Sequence, residues 1–227
     1  MKWRGSRADS RKRYLAKYNE AEVDRYDQWI VQLTRDDEQA CLDDLQRVFQ
    51  FQAGMAVLDV GTGTGAFCKI LQNIPGLSIT ALDPSPVMLE KFRSKADLST
   101  VTTVEGYCDG PEDRSLFFDS QFQAIVSRQL VNGLFDPLTA FRNWHHWLSP
   151  GGTVVVLDGL FDRAAWTGVW QEEIDVLPVS ACQTTALTPY LLEVAGFRVE
   201  AVELMEATNR MPASRTTRYA VVATKPD

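Results

Sequence analysis

Val57-Leu-Asp-Val-Gly-Thr-Gly-Thr-Gly65 is the stretch on which the fold turns. A short apolar run leads into glycines at alternate positions, which lets a strand stop, bend sharply and pass close to a ligand. The helix expected from Ala66 would present unpaired N–H groups to a negatively charged moiety. Asp59 stands two residues before the first glycine, and the next apolar run, residues 78–83, closes on Asp83. A carboxylate at the end of a second strand can accept hydrogen bonds from both hydroxyls of a ribose. Each feature alone reads as a tight turn or a solvated acid. Together they point to a nucleoside-containing cofactor lying across the C-terminal edge of a sheet.

Working outward, further apolar runs follow at residues 101–105, 122–127 and 153–158, separated by segments long enough for helices. That rhythm is the signature of a parallel sheet with crossover helices. Ser85-Pro86, Asp136-Pro137 and Thr188-Pro189 each set a capping residue before a first-turn proline. Leu138, Phe141, His145 and Leu148 form an apolar stripe, and Ser149-Pro-Gly-Gly152 is expected to end that helix. Two β-like runs, 197–204 and 218–224, close the chain and are placed to pair antiparallel. Upstream, residues 9–50 read as helical, with Tyr14, Tyr18, Tyr26, Trp29 and Leu33 at near-helical spacing and a second helix over 36–49.

Composition sets the boundaries. With 227 residues, 45% of them hydrophobic and 23% charged, the chain can build a sizeable core, as one domain or two. No apolar stretch reaches the roughly 20 residues of a membrane helix, and the polar, basic first residues are unlike a secretory signal. Cys41, Cys68, Cys108 and Cys182 are scattered, as expected of small core residues in a reducing cytosol, so a cytoplasmic location is expected. The net charge of −7 argues against nucleic-acid binding. Yet Lys2, Arg4, Arg7, Arg11, Lys12 and Arg13 face only Asp9. This basic arm reads either as a solvated terminus or as a contact for RNA or an acidic substrate.

Two cofactors satisfy the glycine loop. Gly61-x-Gly63-x-x-Ala66 matches the dinucleotide fingerprint G-x-G-x-x-G/A, whereas Asp59-x-Gly61-x-Gly63-x-Gly65 matches the form shared by S-adenosylmethionine (SAM) enzymes. The wider chain separates them. The glycine loop, Leu82-Asp-Pro-Ser-Pro-Val-Met-Leu89, Phe122-Gln-Ala-Ile-Val-Ser127, Trp147-Leu-Ser-Pro-Gly-Gly152 and Leu192-Glu-Val-Ala-Gly-Phe197 stand in the order seen in class I SAM-dependent methyltransferases. The chain resembles the ubiquinone/menaquinone-biosynthesis type and its small-molecule relatives over roughly residues 55–224.

The resemblance implies an α/β, Rossmann-like, doubly wound sheet of seven strands in the order 3-2-1-4-5-7-6, with strand 7 antiparallel. It also implies an N-terminal helical cap (1–50) on a SAM-binding domain (51–227). Asp59, Gly61, Thr62, Gly63 and Gly65 would shape the pocket for the cofactor's methionine part. Asp83 would hold the ribose, with Pro84 and Met88 on the adenine side. Gly106-Tyr-Cys-Asp109 departs from the family's usual Gly-Asp-Ala, so Asp109, helped by Cys108, would stand in for the adenine-facing acid. Ser127 and Arg128 would lie beside the cofactor's amino-acid end. Tyr26-Asp-Gln-Trp29 resembles the family's cap over the cofactor, although Tyr26 and Trp29 fit a buried helix face as well.

A methyl sulfonium is already activated, so alignment and a dry site are the main demands on the protein. His145 and His146 lie too far along their helix to serve as a base, about 12 Å from its start at 1.5 Å per residue. Arg128 and Asp158 are the catalytic candidates. Gln129, Asn132, Trp166 and Trp170 join Trp29 as substrate candidates. Trp166, Trp170, Glu172 and Glu173 belong to a long segment, 162–182, that reads as a lid or as a helix packed on the sheet. Asp158 and Asp162 are too few ligands for a metal, and none is expected. The expected partner is a small-molecule methyl acceptor, with the chain a monomer or homodimer. RNA or protein methylation through the basic arm is the alternative, and an NAD-dependent oxidoreductase ranks below it.

Overall fold

The structure is a computed structural model and describes residues 7–167, 171, 174 and 176–227. Seven strands form one sheet: β1 (Ala56–Val60), β2 (Ser78–Asp83), β3 (Thr102–Glu105), β4 (Phe122–Arg128), β5 (Leu148–Gly159), β6 (Arg198–Leu204) and β7 (Arg218–Thr224). Their order is β3-β2-β1-β4-β5-β7-β6. β1 to β5 run parallel, and β7 pairs antiparallel with both β5 and β6. The Rossmann-like order expected from the sequence is therefore the one observed. The helices are α1 (Arg7–Ala16), α2 (Glu20–Val31), α3 (Arg35–Val48), α4 (Ala66–Leu71), α5 (Pro86–Arg93), α6 (Pro137–Trp147), α7 (Leu187–Val194) and α8 (Glu206–Arg210).

Strand alternation divides the core into two layers, because successive side chains point to opposite faces. Leu58, Ile125, Val154 and Val156 pack with Phe141 and Trp144 of α6 and Leu192 of α7 on one face. Val57, Ala124, Val126 and Val155 pack with Leu45 of α3 and with Phe67 and Leu71 of α4 on the other. α3 thus belongs to the layer against the sheet. α2 instead docks on α5 and the turn after it through two ion pairs, Asp24–Lys91 at 2.8 Å and Asp27–Lys95 at 2.6 Å.

Three local expectations are corrected. Residues 9–50 do not form one long helix followed by another. They break at Asn19, which caps α2, and at Thr34, whose side chain and Asp37 form a reciprocal capping box for α3. Neither break needs a glycine or proline. The helix after Asp136 ends at Trp147, one residue early, because Leu148 pairs with Phe122 and opens β5. Thr188 does not cap its helix. α7 begins at Leu187 behind Ala186, and the buried Thr188 hydroxyl lies 3.0 Å from that of Tyr219. A proline tolerated anywhere in the first turn fixes a helix start only to within a residue or two. Ser85 and Asp136 do cap α5 and α6 through Met88 N and Thr139 N.

Candidate functional site

The glycine loop is fastened to the end of β2. Gly61 N and Thr62 N both donate to the Leu82 carbonyl, at 2.8 and 3.1 Å. Gly63 N donates to one Asp83 carboxylate oxygen and Ser85 N to the other, each at 2.9 Å. Beneath the loop, the buried Asp59 accepts from Thr62 Oγ1 at 2.7 Å and from Cys68 Sγ at 3.2 Å. Lys95 Nζ donates to the Thr64 carbonyl at 2.7 Å while pairing with Asp27, so α2 and the loop share one cation. Gly61 has φ +75°, and a Cβ there would lie 2.7 Å from Leu130 Cδ1. Gly61→Ala is expected to cost about 2 kcal/mol in strain and displacement, and to weaken nucleoside binding. Thermal unfolding and calorimetry would read the two effects.

A cavity of about 660 Å³ opens above this loop along the C-terminal edge of the sheet, within the range of roughly 300–1,000 Å³ typical of ligand sites. Of the site residues named from sequence, Tyr26, Trp29, Gly61, Gly63, Asp83, Pro84, Met88, Cys108, Asp109, Arg128, Gln129, Asn132 and Trp166 line it. Tyr26 and Trp29 are 37% and 39% exposed, so they face the opening and are not core. A second cavity of about 270 Å³ adjoins the first and shares Trp29, Arg128, Gln129 and Arg218 with it; Gly65 lines this smaller one.

The remaining residues expected at the site lie elsewhere. Asp59 and Thr62 support the loop from behind. Ser127 is fully buried, and its hydroxyl has no hydrogen-bond partner among the described residues. Asp158 is buried at the end of β5 and accepts from Gly159 N at 2.7 Å and Asn132 N at 3.3 Å. It holds the turn after β4 and does not line the cavity. Trp170, with Glu172 and Glu173, lies outside the described residues. His145 packs on Phe197 and His146 sits near Arg114 and Asp119, both away from the cavity. Among the described residues no three metal-ligating side chains converge.

Burial pushes the carboxyls of Asp59, Asp83 and Asp158 up to about 6, against the lowering effect of their hydrogen bonds. All three are mainly ionised at neutral pH. Each Asp83 oxygen accepts one backbone N–H and keeps a lone pair for a ligand hydroxyl. Gln129 has φ +56°, an uncommon conformation for a side-chain-bearing residue, stored where β4 meets the cavity.

Several lining residues were not among the site residues expected from sequence: Tyr14, Tyr18, Tyr107, Phe161, Arg215 and Arg218. Arg218 carried a sequence signal in principle. It opens β7, and an antiparallel strand starts at the edge where its parallel neighbours end. The basic arm also resolves in part. Arg11 is buried, and its guanidinium pairs with Asp109 at 2.6 Å, Asp113 at 2.5 Å and Glu112 at 2.8 Å. Asp109 lines the cavity with one oxygen on Arg11 and the other accepting from Phe135 N at 2.8 Å.

A family model described as a methyltransferase domain matches residues 33–202. Demethylmenaquinone methyltransferase of Chlorobaculum tepidum is 29% identical over 109 residues, 48% of this chain and 43% of that one. The chain thus matches less than half the length of that curated relative. A SAM-dependent methyltransferase from Aquifex aeolicus superposes with a TM-score of 0.65 at 19% identity, covering 92% of this chain and 100% of that one. Phosphoethanolamine N-methyltransferase 2 of Haemonchus contortus, solved with S-adenosyl-L-methionine, gives a TM-score of 0.67 at 18% identity, covering 93% and 58%. Likenesses at that identity concern the fold.

Proposed function

This chain belongs to the methyltransferase-domain family, and from that premise we propose that it transfers a methyl group from SAM to a small-molecule acceptor with an O, N or C nucleophile. The observation that carries the reading is a loop with glycines at positive φ, tied to the Asp83 carboxylate, which lines the larger cavity. The residues fit the cofactor. A Cβ on Gly63 would meet only Tyr26 Cε1, at 3.9 Å, so the loop leaves open space toward the cap. Asp83 accepts the ribose hydroxyls, Pro84, Met88 and Cys108 receive the adenine, and Arg128 stands at the amino-acid end. Residues 1–50 act as the cap and 51–227 as the cofactor-binding unit, joined through α3.

Bound there, the cofactor supplies a methyl sulfonium whose leaving group is a neutral thioether. Asp83, Met88, Cys108 and Arg128 would hold the cofactor, and the methyl group it carries would pass to the acceptor atom with the carbon–sulfur electron pair left on sulfur. Tyr26 and Trp29 cover the reacting centre and exclude water, which favours a transition state of dispersed charge. Arg128 orients and cannot take a proton, since guanidinium stays charged. Asp158 is a positioning residue that fixes Asn132. The chain's contribution is therefore alignment, and an acceptor that reacts as a neutral hydroxyl releases its proton to solvent.

Calorimetry tests this reading. S-adenosylhomocysteine (SAH) is expected to bind in the micromolar range and NADH to show no heat of binding. Uptake of NADH without SAH would overturn it.

A further inference from the structure

Apart from the Glu22–Arg25 pair of α2, the charges around the large cavity are sorted by strand. Asp83 ends β2 and Asp109 follows β3, so the carboxylates stand at the ribose end. Arg128 ends β4, Arg218 opens β7 beside Gly159 of β5, and Arg215 precedes it. β7 lies four strands from β2, or roughly 19 Å at about 4.8 Å per strand, and two strands beyond β4. The cofactor brings one carboxylate, and Arg128 stands where that group ends. Arg218 and Arg215 lie past it.

Among the described residues, none of these arginines makes an ion pair. Among the described residues, Arg128 and Arg215 make no ion pair or hydrogen bond through their side chains. Arg218 Nη1 is buried without a partner, and its guanidinium carbon sits 5.3 Å from the Phe161 ring centre. Burial pushes the Arg218 pKa down; the nearby Asp158 opposes that push and the like charge of Arg128 adds to it. A buried guanidinium nitrogen without a hydrogen bond is costly, and the cost falls when an oxyanion enters. The adjoining walls, Phe161 and Trp166, are flat and apolar.

We propose that this basic end receives an oxyanion of the methyl acceptor, which is a flat carboxylic or phosphoric acid seated between Phe161 and Trp166 with its charge on Arg218. This rests on the cofactor reading above, since it assigns the part of the cavity left when SAM is bound.

The test titrates SAH-saturated full-length protein with salicylate, phenyl phosphate and the neutral salicylamide. At least one acid is expected to bind roughly tenfold tighter than the amide, the worth of one charge-assisted hydrogen bond. The tighter acid tells carboxylate from phosphate. Arg218→Gln should erase the difference while SAH affinity stays within about twofold. Equal binding of acid and amide, or no binding of any arene, overturns the proposal. So does a loss of roughly tenfold or more in SAH affinity on Arg218→Gln, which would give Arg218 to the cofactor's own carboxylate. If Arg218→Gln fails to fold, the exposed Arg215→Gln is the substitute and should narrow the acid-to-amide ratio severalfold; an unchanged ratio counts against. Failure of the wild-type protein to bind SAH at all sinks the cofactor reading first, and this inference with it.

Discussion

Asp83→Ala is expected to weaken SAH binding roughly a hundredfold, since each hydrogen bond to a charged acceptor is worth about 1.5–3 kcal/mol and two ribose hydroxyls lose theirs. The alanine also frees Gly63 N and Ser85 N, loosening the loop that shapes the cradle. Asp83→Asn removes the charge but keeps one accepting oxygen, so only one of the two backbone bonds to the loop can survive and the loss should be smaller than for alanine. The pH dependence gives an independent check. The Asp83 carboxyl rises from 3.8 in the unfolded chain to about 6 when folded, with burial as the cause. A raised carboxylate favours the folded, ligand-free state below the unfolded value, and that advantage is lost as pH climbs through about 6. Ligand hydroxyls stabilise the ionised form, so the trend for binding is the reverse. SAH affinity should fall as pH drops through about 6, approaching roughly tenfold per unit if only the carboxylate binds. SAH's own ionisations lie outside this window, and the Asn variant should bind without the slope. A wild-type affinity flat from pH 5 to 8, on the order of the range needed here, would remove Asp83 from the ribose.

Much of this site was legible in the sequence because it depends on backbone geometry. Glycines at alternate positions and acids at strand ends announce themselves locally, and their order along the chain carried the sheet topology. Gly61, Gly63 and Asp83 were found in this way, Met88 through the family resemblance, and each lines the cavity. Interactions between residues far apart in the chain left no such trace. Arg11 reaches Asp109 and Asp113 across about a hundred residues, so the sequence showed a basic arm where the fold has a buried ion cluster. Arg218 read as one more strand residue because its meaning comes from the reversed direction of β7. Tyr26 and Trp29 illustrate a third case. Helical spacing fits a core face and a cavity face equally, and only their exposure separates the two.

Arg11→Ala is expected to destabilise the protein by about 3–5 kcal/mol, the usual cost of removing one partner from a buried charge network. Asp109 and Asp113 are both buried, and both direct carboxylates at this guanidinium. The Tyr107 ring stacks 4.1 Å from its centre, and the Tyr107 hydroxyl donates to the Arg11 carbonyl at 3.1 Å. Without Arg11, two anions remain in a site that cannot hydrate them. The damage should be local first, because this cluster ties α1 to the segment after β3, and Tyr14 of α1 meets the Phe135 ring edge-on at 5.5 Å. Amide exchange in residues 7–16 should therefore accelerate more than in the sheet. SAH affinity should fall as well, since Tyr14 and Tyr18 wall the cavity from that side. A compensating variant makes the cause explicit. Arg11→Met with Asp113→Asn removes the cation together with one of the stranded anions, and should recover more than half of the stability lost by Arg11→Ala. If the double variant is the less stable of the two, the penalty comes from lost packing, and the ion cluster is not what holds the cap over the cofactor.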